Sequence, residues 1–93
     1  MSLKFEWDKD KAESNLKEHS VSFEEAATAF GDTLSKTIPD PDHSEGEARY
    51  VLIGATTARR VVVVSHTERG DNIRIINARP ATRKEIRAYE QGS

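Results

Sequence analysis

Three β-branched runs, "RYVLIGAT" at 49–56, "RVVVVSHT" at 60–67 and "NIRIINA" at 72–78, follow one another with little between them. Their spacers, "TAR" and "ERGDN", are turn-like and of hairpin length. Runs of this composition fit a pleated, half-buried surface, and short spacers join antiparallel neighbours, so an antiparallel meander is expected. The four valines Val61–Val64 predict a central strand covered on both faces. Pro80 lacks the N–H that a ladder needs and closes the last strand.

The first third reads differently. "LKFEW" alternates apolar and polar residues and predicts a short strand with Leu3, Phe5 and Trp7 facing inward. Asp8 is positioned to cap the helix "KDKAESNLKEH", whose semi-apolar face is Ala12, Asn15, Leu16 and His19. Ser22 and Glu25 then form a capping box for "FEEAATAF", with Phe23, Ala26, Ala27 and Phe30 on its buried stripe and Gly31 as terminator. "DTLSKTI" is expected to be a short edge strand, and the acidic "PDPDHSEGEA" an exposed, mobile loop. Thr82 and Glu85 make a second capping box, opening "RKEIRAYE". The fold class is α+β: two N-terminal helices packed on a three- to four-stranded antiparallel sheet, with a short C-terminal helix. At 93 residues, one domain spanning 1–93 is expected.

Bulk properties remove several functions. No run nears the ~18 apolar residues of a membrane span, and no basic, apolar leader opens the chain. The absence of cysteine excludes disulfides, thiolate metal sites and a Cys nucleophile, and it fits a cytoplasmic location. The net charge of −2 hides an asymmetry. Residues 1–48 hold five lysines against twelve acids, −7, whereas residues 49–93 hold all eight arginines and Lys84 against four acids, +5. Guanidinium is planar, permanently charged and weakly hydrated, which suits bidentate phosphate contacts. Such a split points to an anion-binding face, or to two halves that neutralise each other in the fold.

His19, His43 and His66 lack metal-ligand spacing, and P-loop, nucleophile-elbow and dinucleotide glycine patterns are absent. What remains is a set of acid, base and cation groups near the strand ends. Strict alternation would put Ile73, Ile75, Asn77 and Arg79 on one sheet face and Arg74, Ile76 and Ala78 on the other. On the last helix Arg83 and Arg87 are like-charged i, i+4 neighbours, and Glu85 and Tyr89 share a face directed at the sheet. Each has a quieter account: Glu85 as capping partner, His19 as helix-end packing, His66 as a strand-end residue, and the arginine pair as a solvated face.

Taken in order, "FEWDKDKAESNLKEHSVSFEEAATAF", "RYVLIG" and "VVVVSHTERGDNIRIINARPATRKEIRAYE" resemble the BrnT family, the toxin half of a bacterial type II toxin–antitoxin pair. The resemblance implies a RelE-like fold, ribonuclease activity that arrests translation, and a BrnA antitoxin. The ribbon-helix-helix part of that antitoxin would bind operator DNA for the pair. Matching positions are His19, Glu68, Arg69, Arg74, Arg79, Glu85 and Tyr89. Two departures stand out: Asn77 where the family commonly has Ser, and Ser20 where it usually has Gly after the helix histidine.

These residues permit metal-independent RNA cleavage by the 2′-hydroxyl, with no cofactor. The candidate catalytic residues are His19, Glu68, Arg69, Arg79, Glu85 and Tyr89; the candidate RNA-binding cations are Arg74, Arg83, Arg87 and Lys17. Glu68, Glu85 or His19 could be the base, and His19 or Tyr89 the acid. The alternative is a non-catalytic module that only forms a repressor complex with its antitoxin.

Overall fold

A computed structural model describes residues 3–43 and 46–91. Its elements are β1 (Lys4–Glu6), α1 (Lys9–His19), α2 (Phe23–Thr28), β2 (Lys36–Pro39), β3 (Arg49–Ala55), β4 (Val61–Arg69), β5 (Asn72–Pro80) and α3 (Arg83–Gln91), with single 3₁₀ turns at Ala29–Gly31 and Pro41–His43. Local signals set most boundaries. Asp8 accepts from the N–H groups of Asp10 and Lys11, and Thr82 and Glu85 exchange both bonds of a capping box. At α2 only half of the box forms. Ser22 accepts from Glu25 N–H, while the Glu25 carboxylate turns to Arg60 and Thr56 on the β3–β4 side.

Among the described residues the sheet has five strands, in the order β1-β5-β4-β3-β2. The expected meander is β3-β4-β5, and "DTLSKTI" supplies the edge strand β2. Two expectations are corrected. The sheet is larger than three to four strands, and it is mixed, because β1 runs parallel to β5. Hairpin spacing cannot announce that pairing, since β1 reaches β5 across most of the chain. Ser44 and Glu45 of the expected acidic loop lie outside the described residues; Pro41–His43 within it form an exposed 3₁₀ turn.

One sheet face packs on α1 and α2. Phe23, Ala26, Ala29, Val21, Leu52, Val62, Val64, Ile75 and Ala78 form the core, flanked by Phe5, Trp7, Ala12, Ala27 and Phe30. Trp7 and Phe5 face inward as expected, but Leu3 is half exposed. His66 is no strand-end residue: it is buried between Phe30 and Tyr50, and burial depresses its pKa. Gly54 is required by packing, for a Cβ there would meet the Ala29 carbonyl oxygen and the Ser35 Cβ at 3.0 Å.

The strictly alternating reading of β5 is also corrected. Ser65 faces Asn77 but His66 faces Ile75, so Ile76 is an extra residue on β5. A bulge of this kind shifts the alternation by one. Ile73, Ile75 and Ala78 therefore share the core face, while Arg74, Asn77 and Arg79 share the opposite one with Thr67, Ser65 and Val63.

Candidate active-site cleft

That opposite face is open and carries a cleft of about 580 Å³. Val51, Val63, Ser65, Asn77 and Arg79 of the sheet form its floor, α1 contributes Asp10, Lys11, Ser14, Glu18 and His19, and Asp40 closes the far side. The wall is fixed by Asn15. Beyond Glu6 the outer edge of β5 no longer pairs with β1, and the Asn15 amide takes the place of a strand. It donates to the Ala78 carbonyl at 2.8 Å, accepts from the Ala78 N–H at 3.0 Å and donates to the Val21 carbonyl at 3.0 Å. His19 lies one helical turn further on and lines the same cleft as Arg79. Ser20, immediately after it, caps α1 in the left-handed conformation at φ 59°.

α3 runs beside the cleft, where its Glu85, Ala88 and Tyr89 line a groove with Lys36, Ile38, Val51, Ile53 and Val63. Glu85 and Tyr89 give α3 polar contacts. Glu85 Oε1 and Oε2 accept from Arg79 Nη1 at 2.8 Å and Nη2 at 2.9 Å, and the Tyr89 hydroxyl donates to Asp32 Oδ2. The Arg79 guanidinium and the Thr82 N–H hold the Glu85 carboxyl down at about 2. The Asp32 carboxylate, together with burial, pushes the Tyr89 phenol up to about 12. Glu85 is thus a fixed carboxylate and Tyr89 a fixed phenol near neutrality; neither is a ready proton carrier. Among the described residues no cluster of His, Asp or Glu has the makings of a metal site.

Residues 7–85 match the family model described as "Ribonuclease toxin, BrnT, of type II toxin-antitoxin system". The chain belongs to the BrnT family. Among solved structures it is similar to the Brucella abortus ribonuclease toxin BrnT, at 24% identity and a TM-score of 0.69, covering 88% of this chain and 100% of that one. That likeness bears on the fold. Among curated proteins none matches the chain. BrnT-family membership makes it a ribonuclease toxin of a type II system, with an RNA target and an antitoxin partner.

The structure of this BrnT-family chain brings some candidates together and separates others. His19 and Arg79 line one cleft, and Glu85 and Tyr89 stand beside it on α3. Glu68 does not join them; it is exposed near the β4–β5 turn, lining a separate depression with Lys4, Asp71 and Asn72. Arg69 sits at the same end, opposite Asn72 and about 20 Å along β5 from Arg79, with Glu47 at 3.3 Å and Glu6 at 4.0 Å. Arg74 donates to Glu6 at 3.0 Å, and Asn72 and Arg74 together lower the Glu6 pKa. Lys17 is exposed on α1 outside the cleft lining.

The arginines therefore do not converge in a single pocket. Arg60, Arg69 and Arg74 are held by Glu25, Glu47 and Glu6, so the acidic N-terminal half neutralises much of the basic half, as the second reading of the charge split anticipated. In the sequence Asn15 reads as one position of a semi-apolar helix stripe, which does not announce its bonds to Ala78 and Val21. A lone amide among apolar positions was the available signal. Ser65 and Asn77 reach the cleft through strand register, and Asp40 from the end of β2, which no local pattern announces.

Proposed function

We propose that this protein is a metal-independent endoribonuclease whose chemistry takes place in the cleft between α1 and β5, with His19 and Arg79 as its catalytic residues. The observation that supports this best is the state of Arg79. Glu85 occupies the end-on fork, Nη1 and Nη2, and the Pro80 carbonyl sits 3.4 Å from Nη1. Among the described residues nothing accepts from Nε, so the side-on fork of Nε with the second Nη2 hydrogen stays open to an anion. Guanidinium has five donors, and a fork of this kind takes two phosphate oxygens at once.

The 2′-hydroxyl attacks the adjacent phosphorus, its proton passing to the His19 imidazole. The bond to the 5′-oxygen breaks and that oxygen takes a proton from water, leaving a 2′,3′-cyclic phosphate and a free 5′-hydroxyl. Arg79 stabilises the charge that builds on the phosphoryl oxygens, and Glu85 is a positioning residue that fixes the guanidinium plane. Acid–base help of this type contributes about 10²–10⁴-fold, and one well-placed donor about 10²–10³-fold. Cleavage arrests translation, and a BrnA-type ribbon-helix-helix antitoxin neutralises it and carries the pair to operator DNA; the family description supports the pairing.

Labelled RNA incubated with the purified chain in EDTA, with and without ribosomes, tests the reading. Expected are fragments ending in 2′,3′-cyclic phosphate, with the rate falling at least 10²-fold on His19→Ala or Arg79→Ala. RNA left intact in both settings would overturn it and favour the non-catalytic module.

A further inference from the structure

The arginines that the acidic half leaves alone are informative. Arg60, Arg69, Arg74 and Arg79 each meet a carboxylate, whereas on α3 the side chains of Arg83, Lys84 and Arg87 make no hydrogen bond or ion pair among the described residues. At about 100° per residue, Arg83 and Arg87 lie opposite Glu85 and Tyr89, which bond to Arg79 and Asp32 on the sheet side. They point to solvent, one turn or about 6 Å apart along the axis, with Lys84 on the flank and Glu90 at the far end of the same face.

This arrangement costs stability. Like charges at i, i+4 repel, and Arg83 and Lys84 occupy the first turn, where the helix macrodipole disfavours cations; the last turn holds no basic residue. A helix selected for stability alone would reverse that order.

We infer that the outer face of α3 is a docking surface for the phosphate backbone of single-stranded RNA, outside the cleft and without a part in the chemistry. This deepens the nuclease reading, on which it rests for the identity of the polymer. Two features favour RNA over a protein partner. The face is cationic in an otherwise acidic protein, which complements a polyanion. It also lacks the apolar anchors on which protein interfaces centre: of the large exposed apolar residues, Leu3, Leu16 and Leu34 lie off α3, and Ile38 lies on β2, on the sheet side of the helix. The same helix supplies Glu85 to Arg79, so this face stands about one helix width from the cleft.

The test uses the full chain and a 2′-O-methylated RNA oligonucleotide, which lacks the attacking hydroxyl, in anisotropy titrations across a salt series. Each phosphate contact to a single strand contributes a slope of about −0.7 to log K against log salt. Arg83→Gln with Arg87→Gln should flatten the slope by about 1.4 and weaken binding several-fold at low salt. Circular dichroism of the double variant checks that α3 remains folded. An unchanged slope overturns the inference, as does a double variant that loses antitoxin binding while RNA binding stays intact. The probe cannot be cleaved, so a chain that binds it with the expected slope yet leaves natural RNA whole refutes the nuclease reading alone.

Discussion

Replacing Asn15 with alanine isolates the contact that joins the helix carrying His19 to the strand carrying Arg79. The amide makes three bonds, and its partners belong to Val21 and Ala78, both with 0% exposure. Truncation strands one N–H and two carbonyls where bulk water does not reach. Each buried group left without a partner costs about 1–3 kcal/mol, and partial relaxation or one trapped water recovers some of that. A net loss of about 3–5 kcal/mol is expected, against a total of about 5–14 kcal/mol for a chain of this size. Urea denaturation followed by circular dichroism should show a lower midpoint with little change in slope.

Asn15→Asp sharpens the test. The introduced carboxylate can still accept from Ala78 N–H but repels two carbonyl oxygens. Its pKa must therefore rise on folding, and its cost is full above the folded pKa. The neutral acid can donate, so the deficit relative to wild type should shrink as the pH falls from 7 towards 4. A loss below about 1 kcal/mol for Asn15→Ala, or a pH-independent deficit for Asn15→Asp, would refute the view that this amide is bonded as described.

Ser20→Gly should stabilise the protein by about 0.5–1 kcal/mol, raising Tm by a few degrees in a thermal melt, because Ser20 holds φ 59° where glycine is unstrained. The Glu85 carboxyl falls from 4.5 to about 2 on folding, so its contribution is present above pH 4.5 and is lost as the pH falls towards 2. The full shift corresponds to about 3 kcal/mol, but Glu85 and Arg79 are each about a third exposed, and screening leaves about 1 kcal/mol; the Glu85→Gln deficit should follow that acid window in urea titrations. His66 is buried neutral with a lowered pKa, so wild type should lose stability as the pH drops below 6.5, and His66→Phe should remove that part of the slope in parallel melts.

What was legible from the residues was local. The caps at Asp8, Ser22 and Thr82, the valine strand and the stop at Pro80 depend on neighbours within a turn or a hairpin, and short-range sterics and hydrogen bonding nearly decide them. Gly31 is not the expected terminator: α2 ends at Thr28, and Gly31 lies in the 3₁₀ turn that follows. The resemblance to the BrnT family was readable for a related reason, since ordered motifs survive in one dimension. Folding in three dimensions decided the rest. The extra residue at Ile76 reversed which β5 side chains share a face, and a shift of one in a period of two has no local signature. Likewise, β1 beside β5, the Asn15 amide against Ala78, and the pairing of Arg69 and Arg74 with Glu6 join residues more than sixty positions apart. Composition counts such charges, but only packing determines which are cancelled and which, as on α3, are left facing solvent.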